Sequence, residues 1–273
     1  MDDADWEEFL SIRHEWDGVI AVSGYIKKKL AASGYLAEKI AVIHHGIDLV
    51  RFSSIRPNEE VLQAIREAAG ERKVIFHPAR MSLAKGSDIA VLAFKQVKEA
   101  FPETFLLLAG TEKTVDWGAY QQGEISQIKS LIAELDLGNS TLIRFFPWGE
   151  MPSAYWNSDV VIYPSSFDEP FGLVLLEAMA AAKPLIVTRV GGMPEVVKEG
   201  ETGFVIPPRR PNVLAEKILE LLRNPGLCQV MGQKALFTLK RRFTLERMVT
   251  ATLNYYEKVS AEANWMLERR TVS

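Results

Sequence analysis

From residue 73 onward, short runs of nearly continuous apolar residues alternate with longer stretches of helical periodicity. The runs Lys73–Ala79, Thr104–Ala109, Thr141–Phe146, Val160–Pro164, Leu185–Thr188 and Gly203–Ile206 have the pattern of strands buried on both faces. Between them, helices are predicted near 87–100, 120–136, 150–157, 172–182, 192–198 and 211–223. Alternation of this kind predicts an α/β fold, a doubly wound parallel sheet with helices on both faces. Such sheets bind ligands beyond the carboxyl ends of their strands, close to the point where strand order reverses.

The two ends of the chain read differently. Gly18–Ser23 and Lys39–His44 look like two further strands, separated by a helix over Tyr25–Ala32. That is too little for a doubly wound domain of its own. Ser53-Ser54-Ile55-Arg56-Pro57-Asn58 reads as a linker, and the tail from Pro225 to Leu267 reads as helix after helix.

Composition narrows the function classes. Of 273 residues, 48% are apolar and 25% charged, as in ordinary globular proteins, and the net charge of −3 gives no reason to expect a nucleic-acid partner. The single cysteine, Cys228, excludes an internal disulfide framework and suits a reducing compartment. It falls in a helical stretch and is expected to be a partly buried structural thiol. No apolar run approaches the length of a transmembrane span, and Met1-Asp2-Asp3-Ala4-Asp5 is too acidic for a signal peptide. The expected location is cytoplasmic, with peripheral membrane attachment left open.

The candidate chemistry follows the strand predicted at 160–164, in the run Glu169-Pro170-Phe171-Gly172-Leu173-Val174-Leu175-Leu176-Glu177. Glu169 falls in the loop at the carboxyl edge of the sheet, and Glu177 one to two turns inside the next helix. Between them the amides of Phe171, Gly172 and Leu173 are free helix-start donors. Carboxylates bind hydroxyls and bare amides bind phosphate oxygens, so a ligand carrying both, such as a nucleotide sugar, fits this turn. The plainer explanation is that carboxylates near a helix N-terminus are simply favourable.

After the first strand of the main domain come Arg80 and Lys85, then Gly86 at a helix start. An arginine fork and a lysine point charge make a diphosphate clamp. Read alone, they fit solvated loop cations slightly better; paired with the turn at 169–177, they fit the clamp better. Gly191-Gly192 allow close approach of backbone, either to a ligand or to a neighbouring element. Asp3-Ala4-Asp5 has the spacing of a metal-binding acidic pair, but no strand precedes it, so no metal is predicted. His77 is expected to be a satisfied core or loop histidine and His44-His45 to pack between the two parts of the chain. No histidine spacing suits zinc.

These motifs together resemble the donor half of retaining glycosyltransferases of family 4, enzymes with two Rossmann-like domains facing across a cleft (the GT-B architecture). The resemblance runs through Asp159–Ser165, Glu169–Ala180, Lys183-Pro184, Gly191–Glu195 and Gly200–Phe204. It also takes in Ala21-Val22-Ser23, Gly46-Ile47-Asp48, Phe52, Arg80 and Lys85-Gly86, nearly the whole chain. It implies that Glu177 holds the ribose hydroxyls and that Glu169 meets the donor sugar. The amides of Phe171, Gly172 and Leu173 would meet sugar or phosphates, and Arg80 and Lys85 would neutralise the departing diphosphate. The base would lie against the segment around Phe146, Pro147 and Trp148.

The implied activity is transfer of a sugar from a nucleoside-diphosphate sugar to an acceptor hydroxyl with retention, without metal or other cofactor. The implied division is 1–55 as the remnant of an acceptor domain with its linker, 56–243 as the donor-binding domain and 244–273 as a helix crossing back. The first 50 residues match only the last part of such an acceptor domain. Either the sequence is truncated there, or a separate N-terminal acceptor-domain polypeptide or a homodimer is an expected partner. The alternative is a non-catalytic nucleotide-sugar-binding or interaction subunit. An epimerase ranks last, because it needs acid and base residues from both domains.

Overall fold

The computed structural model describes residues 7–8, 10–12, 15–109, 118–147 and 149–271. Six strands form one sheet: β3 (Lys73–His77), β4 (Thr104–Ala109), β5 (Thr141–Arg144), β6 (Val160–Tyr163), β7 (Leu185–Thr188) and β8 (Gly203–Ile206). Their order is β5-β4-β3-β6-β7-β8, and every pairing is parallel. This is the doubly wound order, reversing between β3 and β6. The predicted fold class is the observed one.

β3 and β6 stop sooner than their apolar patterns because Pro78 and Pro164 have no amide to donate to the ladder. Successive side chains point to opposite faces, and each face has its own core. Phe76, Leu107, Val161 and Leu176 share one, while Ile75, Leu106, Ile162 and Phe94 share the other. The flanking helices are α4 (Ser87–Ala100), α5 (Gly118–Glu134), α6 (Met151–Trp156), α7 (Leu173–Ala180), α8 (Met193–Val196), α9 (Pro211–Arg223) and α10 (Pro225–Arg242). α7 ends before the expected residue 182, where the chain turns through a positive φ at Ala182 and the Lys183 amide donates to Ala178 O.

Ahead of the sheet, β1 (Val19–Ala21) and β2 (Ile40–Val42) pair in parallel around α1 (Gly24–Ala32). The segment expected to be a linker is partly helical. α2 (Leu49–Ser54) takes its first two residues, and the Asp48 carboxylate caps this helix by accepting from the Arg51 amide at 2.9 Å. α3 (Glu59–Ala69) was not expected. Asn58 caps it, acidic residues fill its first turn, and Val61, Leu62 and Ile65 are buried on its inner face.

α11 (Leu245–Thr271) runs back over the N-terminal unit. The Tyr255 hydroxyl donates to Lys39 O at 2.6 Å and accepts from the Val19 amide at 3.2 Å. The two chain crossings lie side by side, with the Ile47 amide on Phe243 O at 2.9 Å and the Leu245 amide on Ile47 O at 3.1 Å.

Candidate functional site

The strand order reverses between β3 and β6, and the loops leaving these two strands meet. Beyond β3, His77 is fully buried. Its Nδ1 lies 3.2 Å from Ile162 O and its Nε2 lies 3.1 Å from Ser87 Oγ. Burial pushes its pKa down to about 4, so the ring is neutral. With Nδ1 protonated, Nε2 accepts from the Ser87 hydroxyl, which in turn accepts from the Ser82 amide at 3.1 Å. This chain fixes the loop that carries Arg80 and Lys85. Gly86 has φ +75, and a Cβ there would lie 2.0 Å from Pro164 O. Only glycine lets the β3 loop sit this close to the end of β6. The Ser166 amide closes the contact by donating to Ala84 O at 2.9 Å.

Across that contact Lys85 meets Glu169, with Nζ 2.5 Å from Oε2, and both side chains are largely buried. Tyr163, the last residue of β6, donates its hydroxyl to the same Oε2 at 2.8 Å. Burial and the Glu169 carboxylate push the Tyr163 phenol far up, while the cation of Arg80 pulls the other way. Arg80 itself is exposed at the rim. Lys85 and Glu169, sequence-predicted members of one site, are thus in direct contact, and Arg80 stands beside them.

Glu177 lies one turn into α7 and is mostly buried. Burial raises its pKa, and a hydrogen bond from Tyr155 opposes the shift. The Tyr155 hydroxyl is 2.8 Å from Glu177 Oε2 and 3.1 Å from Val174 O. Beside Glu177 is a cavity of about 240 Å³ whose walls include Asp48, Arg51, Phe52, Pro152 and Leu173. Leu173, at the start of α7, is 54% exposed. The Leu175 amide turns back to Gly172 O at 3.0 Å, so the amides at 171–173 are the opening donors of the helix. The Phe171 ring does not face the cleft. It is buried against His44 and Phe243, and only its backbone remains for a ligand.

The Glu169–Phe171 loop is also held from behind. The Glu169 carbonyl accepts from the Gly192 amide at 2.8 Å, and the Pro170 carbonyl accepts from the Ser23 hydroxyl at 2.7 Å. Glu195 then ties α8 to the N-terminal unit, accepting from the amides of Gly24 at 2.8 Å and Tyr25 at 2.9 Å, with His44 Nε2 at 3.2 Å. Burial works against the Glu195 charge, but these donors outweigh it and hold its pKa below the usual carboxylate range. The Tyr25 hydroxyl reaches Asp168 Oδ2 at 2.5 Å.

The sequence matches the family model for glycosyl transferases group 1 over residues 58–236. The chain belongs to this family. It is 27% identical to spore coat protein SA of Bacillus subtilis over 88% of its own length and 64% of that protein's. It is 30% identical to glycogen synthase of Mycobacterium tuberculosis over 79% of itself and 47% of that enzyme. Among solved structures it is similar to Anabaena Alr3699/HepE in complex with UDP-glucose, with a TM-score of 0.77 and 25% identity, covering 90% of this chain and 64% of that one. The chain therefore spans less than two thirds of the length of each of these proteins.

Several residues around the cluster of Lys85, Glu169 and Glu177 carried no sequence signal as its parts. Tyr155 and Tyr163 lie in elements that were predicted, but their contacts with the two glutamates depend on packing. Glu195 and Ser23 lie within the motifs that carry the resemblance, but their local sequence gives them no role. Pro147 is exposed, does not border the cavity beside Glu177, and precedes Trp148, which lies outside the described residues, as does Asp3-Ala4-Asp5. The Gly191-Gly192 approach is to the protein's own backbone, at Glu169 and Pro170. Cys228 is half-buried, and its thiol lies 3.1 Å from Leu221 O. Among the described residues, no group of three or more His, Cys, Asp or Glu side chains could hold a metal ion, and no helix is long and apolar enough to cross a membrane.

Proposed function

We propose that this chain is the donor-binding part of a retaining glycosyltransferase that moves a sugar from a nucleoside-diphosphate sugar to an acceptor hydroxyl. The observation that carries the reading is the meeting of Lys85 and Glu169 at the switch point between β3 and β6, with Glu177 and its cavity on the following helix. Glu177 takes the ribose hydroxyls. Glu169 takes a hydroxyl of the donor sugar. The diphosphate lies between Arg80, Lys85 and the opening amides of α7. The base lies toward Pro147 and Trp148. The UDP-glucose complex of Alr3699/HepE supports a ligand of this class.

In the reaction, the bond between the anomeric carbon and the diphosphate oxygen breaks, and its electrons go to the phosphate. Arg80, Lys85 and the helix amides stabilise that charge without a metal. The acceptor oxygen forms the new bond on the same face, and its proton passes to the departing phosphate. The acceptor is positioned by the facing N-terminal half of the GT-B architecture, packed beside β1, β2 and α11. Positioning the second reactant is worth about 7–11 kcal/mol of a barrier, so a donor half without a facing acceptor half transfers sugar negligibly.

Separate alanine substitutions of the two glutamates test the assignment by calorimetry. Glu177→Ala should weaken the bare nucleotide and the nucleotide sugar alike, while Glu169→Ala should spare the bare nucleotide. Equal losses of bare nucleotide in both variants would show that the roles are wrongly assigned.

A further inference from the structure

We propose that Tyr163 and Tyr155 are positioning residues, each holding one oxygen of its glutamate so that the other oxygen is presented to the ligand. The inference deepens the donor-site reading and rests on it. Both glutamates show the same arrangement. Glu169 Oε2 takes the Tyr163 hydroxyl at 2.8 Å and Lys85 Nζ at 2.5 Å, and Oε1 receives no donor from the described residues. Glu177 Oε2 takes the Tyr155 hydroxyl at 2.8 Å, and its Oε1 likewise receives none.

The Tyr155 phenol has one proton and two acceptors within reach. The carboxylate oxygen is charged and nearer, at 2.8 Å, whereas Val174 O lies at 3.1 Å, so the carboxylate takes the proton.

Such a restraint matters because the last torsion of a glutamate is broad, and an unpinned carboxylate spreads over many orientations. Fixing it before the ligand arrives lowers the ordering cost of binding. The tyrosines come from outside the loop and helix they restrain. Tyr163 ends β6, and Tyr155 sits on α6, fully buried against Phe76. Each ring is anchored by the core independently of the glutamate it holds. Tyr163 therefore governs the carboxylate that meets the sugar, and Tyr155 the one that meets the ribose.

The test uses Tyr155→Phe and Tyr163→Phe, which remove only hydroxyls, titrated with UDP, GDP and ADP and their glucose conjugates. On the nucleotide that wild type binds, Tyr155→Phe should weaken nucleotide and nucleotide sugar alike by about five- to tenfold, the effect of one hydrogen bond. Tyr163→Phe should leave the bare nucleotide within about twofold and weaken the nucleotide sugar by about five- to tenfold. In a Glu177→Ala background, Tyr155→Phe should cost nothing further, because its partner is gone.

A lowered melting temperature with unchanged affinities would show a structural role only and overturn the proposal. So would an equal loss with and without Glu177. If Tyr155→Phe does not fold, the Tyr163→Phe comparison decides. A wild-type chain that binds none of the six probes overturns the donor-site reading and this inference together. Wild-type binding that Glu177→Ala weakens and Tyr155→Phe leaves unchanged overturns the inference alone.

Discussion

Glu195→Ala should destabilise the folded chain by about 2–4 kcal/mol, an unusually large effect for a glutamate that water partly reaches. The carboxylate accepts from two amides at the start of α1, at 2.8 and 2.9 Å, and pairs with His44 at 3.2 Å. Hydrogen bonds to charged groups contribute about 1.5–3 kcal/mol each, so two would give about 3–6. The side chain is 31% exposed, so water replaces part of what is lost, which brings the figure down to about 2–4 kcal/mol. In a chain of this size that lowers the melting temperature by about 4–8 °C.

The dependence on pH has a definite sign. The folded-state pKa of Glu195 is depressed, so its stabilisation is present above the ordinary value of 4.5 and is lost as pH falls through the folded value. Urea titrations of wild type and variant should therefore differ most near neutrality and converge in acid. Glu220→Ala, which breaks only the Lys217 pair on the surface of α9, is the control and should cost less than about 0.5 kcal/mol. A Glu195→Ala loss no larger than the control, or one that persists undiminished in acid, would refute the reasoning.

Other substitutions test the cleft itself. Arg80→Ala should weaken nucleoside-diphosphate binding at least about tenfold by calorimetry, because one charge-assisted contact is removed. Arg80 is exposed, so the melting temperature should hardly move. Gly191→Ala places a Cβ 2.0 Å from Glu169 O at a residue with φ +55, and should displace the donor loop and cut nucleotide-sugar affinity more than about tenfold. Gly200→Ala adds the same kind of backbone strain at φ +70 with no atom within 4 Å, and should leave binding intact.

The parts of the molecule that sequence revealed are those where one element's environment is written into its own residues. Strands buried on both faces became unbroken apolar runs, such as Val160-Val161-Ile162, and the alternation with helices gave the sheet. The loop holding Glu169 could be placed because a buried strand before it and a helix after it fix the edge of the sheet. α3 is hidden in the sequence although Asn58, Glu59 and Glu60 are ordinary helix-start residues, because Pro57 and the serines before it carry turn signals of their own. The supports of the site were not legible for a different reason. The pairs Tyr163 with Glu169, Tyr155 with Glu177 and Glu195 with the Gly24 and Tyr25 amides join residues that only the folded chain brings together. Sequence also set Lys85 against the diphosphate alone, whereas in the structure it is already paired with Glu169.

The central claim is that Lys85, Arg80 and the α7 amides form a diphosphate site beside two glutamates that recognise hydroxyls. The direct measurement is isothermal titration of the wild-type chain with UDP, GDP, ADP and their glucose conjugates, in the presence of a chelator. The expected result is saturable binding of one nucleotide family, unchanged by added divalent cation and weakened by Arg80→Ala. Absence of binding by every probe in chelator, or affinity unaltered by Arg80→Ala, would contradict the account.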